Sequence, residues 1–221
     1  MSVTVRGRQA GLLIVPLVRA VPWLPVVAAA GLSVAAMLPA LLGGSAPAAQ
    51  VWGLRIAAML LGAGASFAMV DVMAPLTMTA TPRWLRQWLR FTVAVVPAAV
   101  VWGGLCLLAV GSVPAVGPGL PVGDLVGEAL GCLLCGLAGA AVAARVGHTP
   151  TSALAGPAAQ GALVVATLFL QGARSPWALP GAANWSDVHV GWWAAVPVLA
   201  VVLVAANREV WPLFRRRHLT S

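Results

Sequence analysis

The 221-residue chain contains no lysine and no tyrosine, has only 5 acidic residues, and is only 8% charged. Each shortage removes a class of function. Without lysine there is no Walker lysine, and no Gly-rich phosphate loop occurs, so the chain is not itself a conventional P-loop ATPase. With so few charges it lacks the polar surface that a water-soluble domain needs. Cysteine is scarce, and Cys106, Cys132 and Cys135 all fall inside apolar runs, where they read as small buried hydrophobes rather than as a disulfide framework. Cys132 and Cys135 make a C-x-x-C, but two further zinc ligands and a thioredoxin-like context are missing. Neither a Gly-x-Ser-x-Gly nucleophile nor a His-Glu-x-x-His motif occurs. His148, His189 and His218 fall at loop or tail positions on differing sides, so no catalytic, metal or cofactor site is expected.

What is present belongs in lipid. The residues are 61% hydrophobic, and the 24 glycines and 17 prolines are interleaved with long Ala, Val and Leu runs, which excludes a disordered low-complexity chain. The mean hydropathy of +0.95 fits the same reading. The 13 basic residues are all arginines lying between apolar stretches rather than on one polar face, a topology signal rather than a nucleic-acid surface. Missing Lys and Tyr beside abundant Ala, Gly, Arg, Val and Pro looks like the coding bias of a high-GC bacterial genome, and hence a bacterial cytoplasmic (plasma) membrane.

A helix needs about 20 apolar residues to cross roughly 30 Å of hydrocarbon. Runs of that length predict an all-α integral membrane protein, a six-transmembrane-helix bundle forming a single domain over 1–221, with spans at about 22–42, 56–74, 91–111, 125–144, 153–170 and 190–206. The positive-inside rule tests the count. With both termini cytoplasmic, Arg6, Arg8, Arg19, Arg83, Arg86, Arg90, Arg145, Arg208, Arg215, Arg216 and Arg217 are inside, and only Arg55 and Arg174 are outside. Trp23, Trp52, Trp177, Trp185, Trp192, Trp193 and Trp211 sit at or near predicted span ends, as interfacial indoles do. Trp102 falls mid-span and must face lipid or another helix.

Between spans 2 and 3, Thr81 can cap a helix whose first turn suits Pro82. At 3.6 residues per turn Trp84, Leu85, Trp88 and Leu89 share one face, and Arg83, Arg86, Gln87 and Arg90 the other, predicting a short cytoplasmic amphipathic helix. Two readings stand: an interfacial anchor meeting anionic headgroups, or a coupling helix that docks a cytoplasmic partner through Arg83, Trp84, Arg86, Gln87 and Arg90. The basic-then-apolar stretch Arg6 to Arg19 reads as retained and lying along the inner surface, and the tail Trp211 to His218 as an anchor. In span 4, Gly127, Gly131, Cys135 and Gly139 recur every four positions, a stripe for close helix packing against this chain or a second copy. Asp71 is expected to pair with an arginine of the following loop, and Glu128, one turn from Asp124, to lie at the outer interface rather than in a proton relay. The segment Gln171 to His189, with Trp177, Asn184 and Trp185, is either a surface loop or an apolar segment dipping back into the outer leaflet.

The run Ser66-Phe67-Ala68-Met69-Val70-Asp71, then Thr79-Ala80-Thr81-Pro82 and the Arg/Trp helix, resembles small actinobacterial permease subunits of ATP-binding-cassette transporters. The layout is similar to type-2 exporter permeases: a basic surface helix, six spans, a coupling helix and a re-entrant outer segment. That resemblance implies a partner ATPase subunit with its own nucleotide site, a second permease subunit, docking at Arg83, Arg86 and Arg90, and an outer gate at Trp177, Asn184 and Trp185. Export of an apolar or amphipathic cargo would follow. The rival expectation is a non-transporting accessory or immunity membrane protein.

Overall fold

The structure, a computed structural model, describes residues 18–42, 47–71, 82–112, 119–146 and 150–208. The N-terminal stretch before Val18, the second span beyond Asp71, Thr81, His148 and the tail Trp211 to His218 lie outside the described residues.

Within them the chain is all-helical, because a backbone in hydrocarbon has no water to bond and closes its hydrogen bonds along its own axis. The helices are α1 (Trp23–Leu42), α2 (Pro47–Ser66), α3 (Arg83–Ser112), α4 (Val122–Val146), α5 (Ala155–Leu168) and α6 (Trp185–Asn207). Short 3-10 turns at Phe67–Met69 and Pro150–Leu154 extend α2 and precede α5. Six helical segments are long and apolar enough to cross a membrane, as the sequence predicts. Leu24, Leu32, Val100, Leu107, Val190 and Val201 are exposed on their flanks, the apolar exterior that a lipid-facing bundle requires.

Three helix starts differ most from the apolar-run reading. α6 begins at Trp185 instead of near Val190, which puts His189 in the helix rather than in the connection. α2 starts at Pro47 instead of near Ile56, which takes Arg55 out of the outer loop and into the helix. A run-length criterion stops at an arginine; the folded chain does not, because the charge is matched by another helix. α3 is continuous from Arg83 to Ser112, so the Arg/Trp segment forms its first two turns and not a separate helix. At 1.5 Å per residue its 30 residues measure about 45 Å, well beyond the roughly 30 Å of hydrocarbon, so an end reaches the interface.

α2 and α4 form the axis, with 67% and 61% of their most apolar stretches buried against 17–28% for the other four. Their close approach rests on Gly62 and Gly136: a Cβ at Gly136 would stand 2.7 Å from the Gly62 carbonyl oxygen. α5 joins this seam through Gln160, whose amide donates to the Cys132 carbonyl at 2.8 Å. Around it pack Leu61, Ala65, Ala94, Ala98, Leu137 and Ala141. The small-residue stripe of α4 faces its own chain. Gly127 and Gly131 receive the rings of Trp193 and Trp192 of α6, while Gly139 meets Ala155 and Ala159 of α5. Cys135 Sγ lies 3.8 Å from the Ala159 carbonyl.

Candidate functional site

Ionisable side chains at bilayer depth are costly unless paired, so those that persist mark the place to look. The described residues bring most of them into two clusters at opposite ends of the bundle.

At the end capped by the 169–184 connection, the Arg55 guanidinium makes a two-pronged contact with Glu128: Nε donates to Oε2 at 2.7 Å and Nη2 to Oε1 at 2.6 Å. This is the fork geometry that suits arginine to carboxylate. Arg55 also donates to the backbone carbonyls of Trp177 at 3.3 Å and Ala178 at 2.6 Å. The rings of Trp52 and Trp177 flank the guanidinium at 5.2 and 5.7 Å, within cation–π range. His189 completes the cluster, its Nε2 lying 2.9 Å from Glu128 Oε1 and its Nδ1 2.7 Å from the Trp185 carbonyl. Gly127 and Gly131 flank Glu128, and the space they leave for Trp193 and Trp192 lets α6 come near enough for His189 to reach the carboxylate.

The same end carries a second tie in matching register. Trp185 Nε1 donates to Asp124 Oδ2 at 2.6 Å, one turn before the Glu128–His189 contact on each helix. The connection is fixed further by Trp177 Nε1 donating to Thr167 Oγ1 at 2.9 Å and by Trp192 Nε1 donating to the Pro176 carbonyl at 3.0 Å. Ala178 is buried, while Phe169, Leu170, Arg174, Leu179 and Ala183 are exposed, so the connection is pinned to the bundle end at Trp177 and Ala178 and is otherwise open. Asn184 precedes the first turn of α6, and Arg174 and Asp187 are exposed.

At the opposite end Asp71 receives Arg86 Nε at 3.1 Å and Arg90 Nη2 at 2.9 Å. Arg90 Nη1 also donates to the carbonyls of Ala68 and Val70 at 3.2 and 2.9 Å. Asp71 thus pairs with arginines of the following segment. Of the residues expected to dock a partner, Arg86, Gln87 and Arg90 are buried, Arg83 is half-buried and reaches the Ala144 carbonyl at 3.4 Å, and Trp84 is exposed. The polar face is inverted relative to a soluble helix: Arg86, Gln87 and Arg90 turn into the bundle, while Trp84 is exposed and Leu85, Trp88 and Leu89 are half-buried.

At a level between the two clusters α2, α3 and α4 form a half-open apolar cavity of about 300 Å³, lined by Ala58, Leu61, Ala98, Trp102, Ala129 and Leu133 and by the exposed Ala99. Trp102 faces α2, donating its indole N–H to the Leu54 carbonyl at 3.0 Å. Among the described residues no three His, Cys, Asp or Glu side chains converge as metal ligands.

Compared with protein-family models, with curated proteins and with solved structures, the chain matches none.

Sequence reasoning put Arg55, Glu128 and His189 in separate places: an outer loop, an interface and a loop end. One signal could have joined them. Asp124 and Glu128 are four apart, as are Trp185 and His189, so each pair shares a helix face near the same end of its span.

Proposed function

We propose that the chain is the membrane-spanning permease subunit of an ATP-binding-cassette exporter. It works beside a second permease subunit and a separate cytoplasmic ATPase subunit, in a bacterial plasma membrane with both termini inside. A conduit of this kind must close at either end in turn, shifting between two states. The observation that carries the reading is the pairing of two buried ion clusters, one at each end of the bundle, with an apolar cavity at a level between them. The cavity lining favours an apolar or amphipathic cargo. In this reading Trp177, Asn184 and Trp185 belong to the outer gate, pinned by Arg55 and Asp124. The first turns of α3 form the inner closure, held by Asp71.

The burial of Arg86 and Arg90 decides the experiment. Glutamate at either position would break the Asp71 cluster, so a lost partner there would report misfolding rather than a lost docking surface. Trp84 is the exposed member of the segment, 40% accessible, and is the position for a photo-crosslinking residue. A crosslink from position 84 to a cytoplasmic ATPase in membranes, and loss of its co-purification in Trp84→Glu, are the expected results. A chain that comes out of gentle detergent free of any ATPase, with no crosslink, refutes the permease reading and leaves an accessory or immunity role.

A further inference from the structure

α5 and α6 both pack on α4 and make little contact with one another, which leaves an open cleft of about 420 Å³ between them. Leu163 of α5, Pro176 of the connection and Val188, Trp192 and Ala195 of α6 line it. Two charges stand on the same lining, Arg174 and Asp187, and both are exposed. Among the described residues neither side chain has an ion pair or hydrogen bond, whereas Asp71, Asp124 and Glu128 all have partners. The lining is also ordered by depth. Asp187 lies in the first turn of α6, and Val188, Gly191, Trp192 and Ala195 continue its face over about 12 Å. Because the 23 residues of α6 measure about 35 Å against roughly 30 Å of hydrocarbon, the first turn stands at headgroup level and the apolar part runs beside the acyl chains. That part offers an occupant no side-chain donor: the Trp192 indole N–H already goes to the Pro176 carbonyl at 3.0 Å.

We infer that this cleft binds a zwitterionic phospholipid of the phosphoethanolamine type, with its phosphate on Arg174, its ammonium on Asp187 and an acyl chain along Val188, Gly191 and Trp192. The two unmatched charges decide the class. Arginine suits a phosphodiester, and an ammonium with N–H donors suits a carboxylate. A phosphoglycerol head brings no cation to Asp187, and a phosphocholine head brings a cation that has no N–H to donate. A fatty acid would meet Arg174 and leave Asp187 without a partner. The depth order of the lining matches the same molecule, charged at the bundle end and apolar below it. An acyl chain there also supplies the packing that α5 and α6 do not give each other. The inference concerns the capped end in whichever leaflet it lies, and it stands whether or not the chain is a permease.

The site is tested on the full chain in nanodiscs of equal parts phosphatidylethanolamine, phosphatidylglycerol and phosphatidylcholine with matched chains. Native mass spectrometry after release into mild detergent counts the lipid that stays bound. Phosphatidylethanolamine should be retained ahead of the other two. Arg174→Gln should lower its retention by about two- to fivefold, the scale of an exposed ion pair. Asp187→Asn should remove the preference over phosphatidylglycerol while leaving that lipid bound. A Cβ at Gly191 meets nothing within 4 Å, so Gly191→Leu should fold, fill the cleft and lose the retained lipid. Phosphatidylethanolamine with a photoactivatable diazirine in its chain should crosslink to Leu163, Val188 or Ala195 in the wild-type chain and not in Gly191→Leu. The lipid preference and the crosslinks of the wild-type chain test the site without any substitution. Equal retention of the three lipids, a preference that survives in both charge variants, or crosslinks that avoid the cleft would each overturn the proposal.

Discussion

Removing the Glu128 carboxylate tests the capped end most directly. The Arg55 and Glu128 side chains are 1% and 2% exposed, so Glu128→Ala strands a buried guanidinium. Breaking a buried pair from one side costs about 3–5 kcal/mol, against about 0–1 kcal/mol for an exposed pair. Two features moderate the loss: Arg55 keeps the carbonyls of Trp177 and Ala178, and it keeps the rings of Trp52 and Trp177. The expected destabilisation is therefore near the lower bound, about 3 kcal/mol. The double variant Arg55→Met with Glu128→Leu should be more stable than Glu128→Ala, because no uncompensated charge remains. It should still fall about 1–3 kcal/mol below wild type, since the two carbonyls and His189 Nε2 lose their partners. Completing the cycle with Arg55→Met and Glu128→Leu alone gives the coupling energy, expected at about 2–3 kcal/mol in the upper range for contacting residues. Steric-trap unfolding in bicelles measures these differences without leaving a membrane-like solvent. A cost below about 1 kcal/mol for Glu128→Ala, the range of a surface pair, would refute the argument that this contact is buried and structural.

Two further outcomes follow from the packing. Gly136→Ala should cost about 1–3 kcal/mol, because its Cβ would meet the Gly62 carbonyl oxygen at 2.7 Å and backbone must move, whereas Gly103→Ala, with nothing within 4 Å, should be neutral or gain about 0.5–1 kcal/mol; paired thermal unfolding in one detergent checks both. Asp71→Ala leaves Arg86 and Arg90 both buried without their carboxylate, so the bundle should lose about 3–5 kcal/mol and the first turns of α3 become more open to protease, while equal resistance in the variant would argue against the cluster.

Much of this was legible without coordinates. Apolar run length identifies six helices because the hydrocarbon thickness fixes how many residues a helix needs, and that constraint is local to each run. The stripe through Gly127, Gly131 and Gly139 announces close packing because i, i+4 spacing is also local. The pairing of Asp71 with a following arginine was readable because the partners are near in sequence. What could not be read were matters of partnership at a distance. Arg55 and Glu128 are 73 residues apart, and Glu128 and His189 are 61 apart, so nothing in either neighbourhood says which charge is matched. The same limit misdirected the helix face of Arg86, Gln87 and Arg90. Periodicity shows that a polar side exists, but whether it faces water, lipid headgroups or the bundle interior depends on what the other helices bring to it.

The sequence by itself therefore determined that the chain is helical, membrane-sized and closely packed, since these follow from the solvation of each segment taken alone. Only the tertiary structure decided that Arg55, Asp71, Arg86, Arg90 and Glu128 lie inside, because a charge survives in a dry interior only where a partner is brought to meet it.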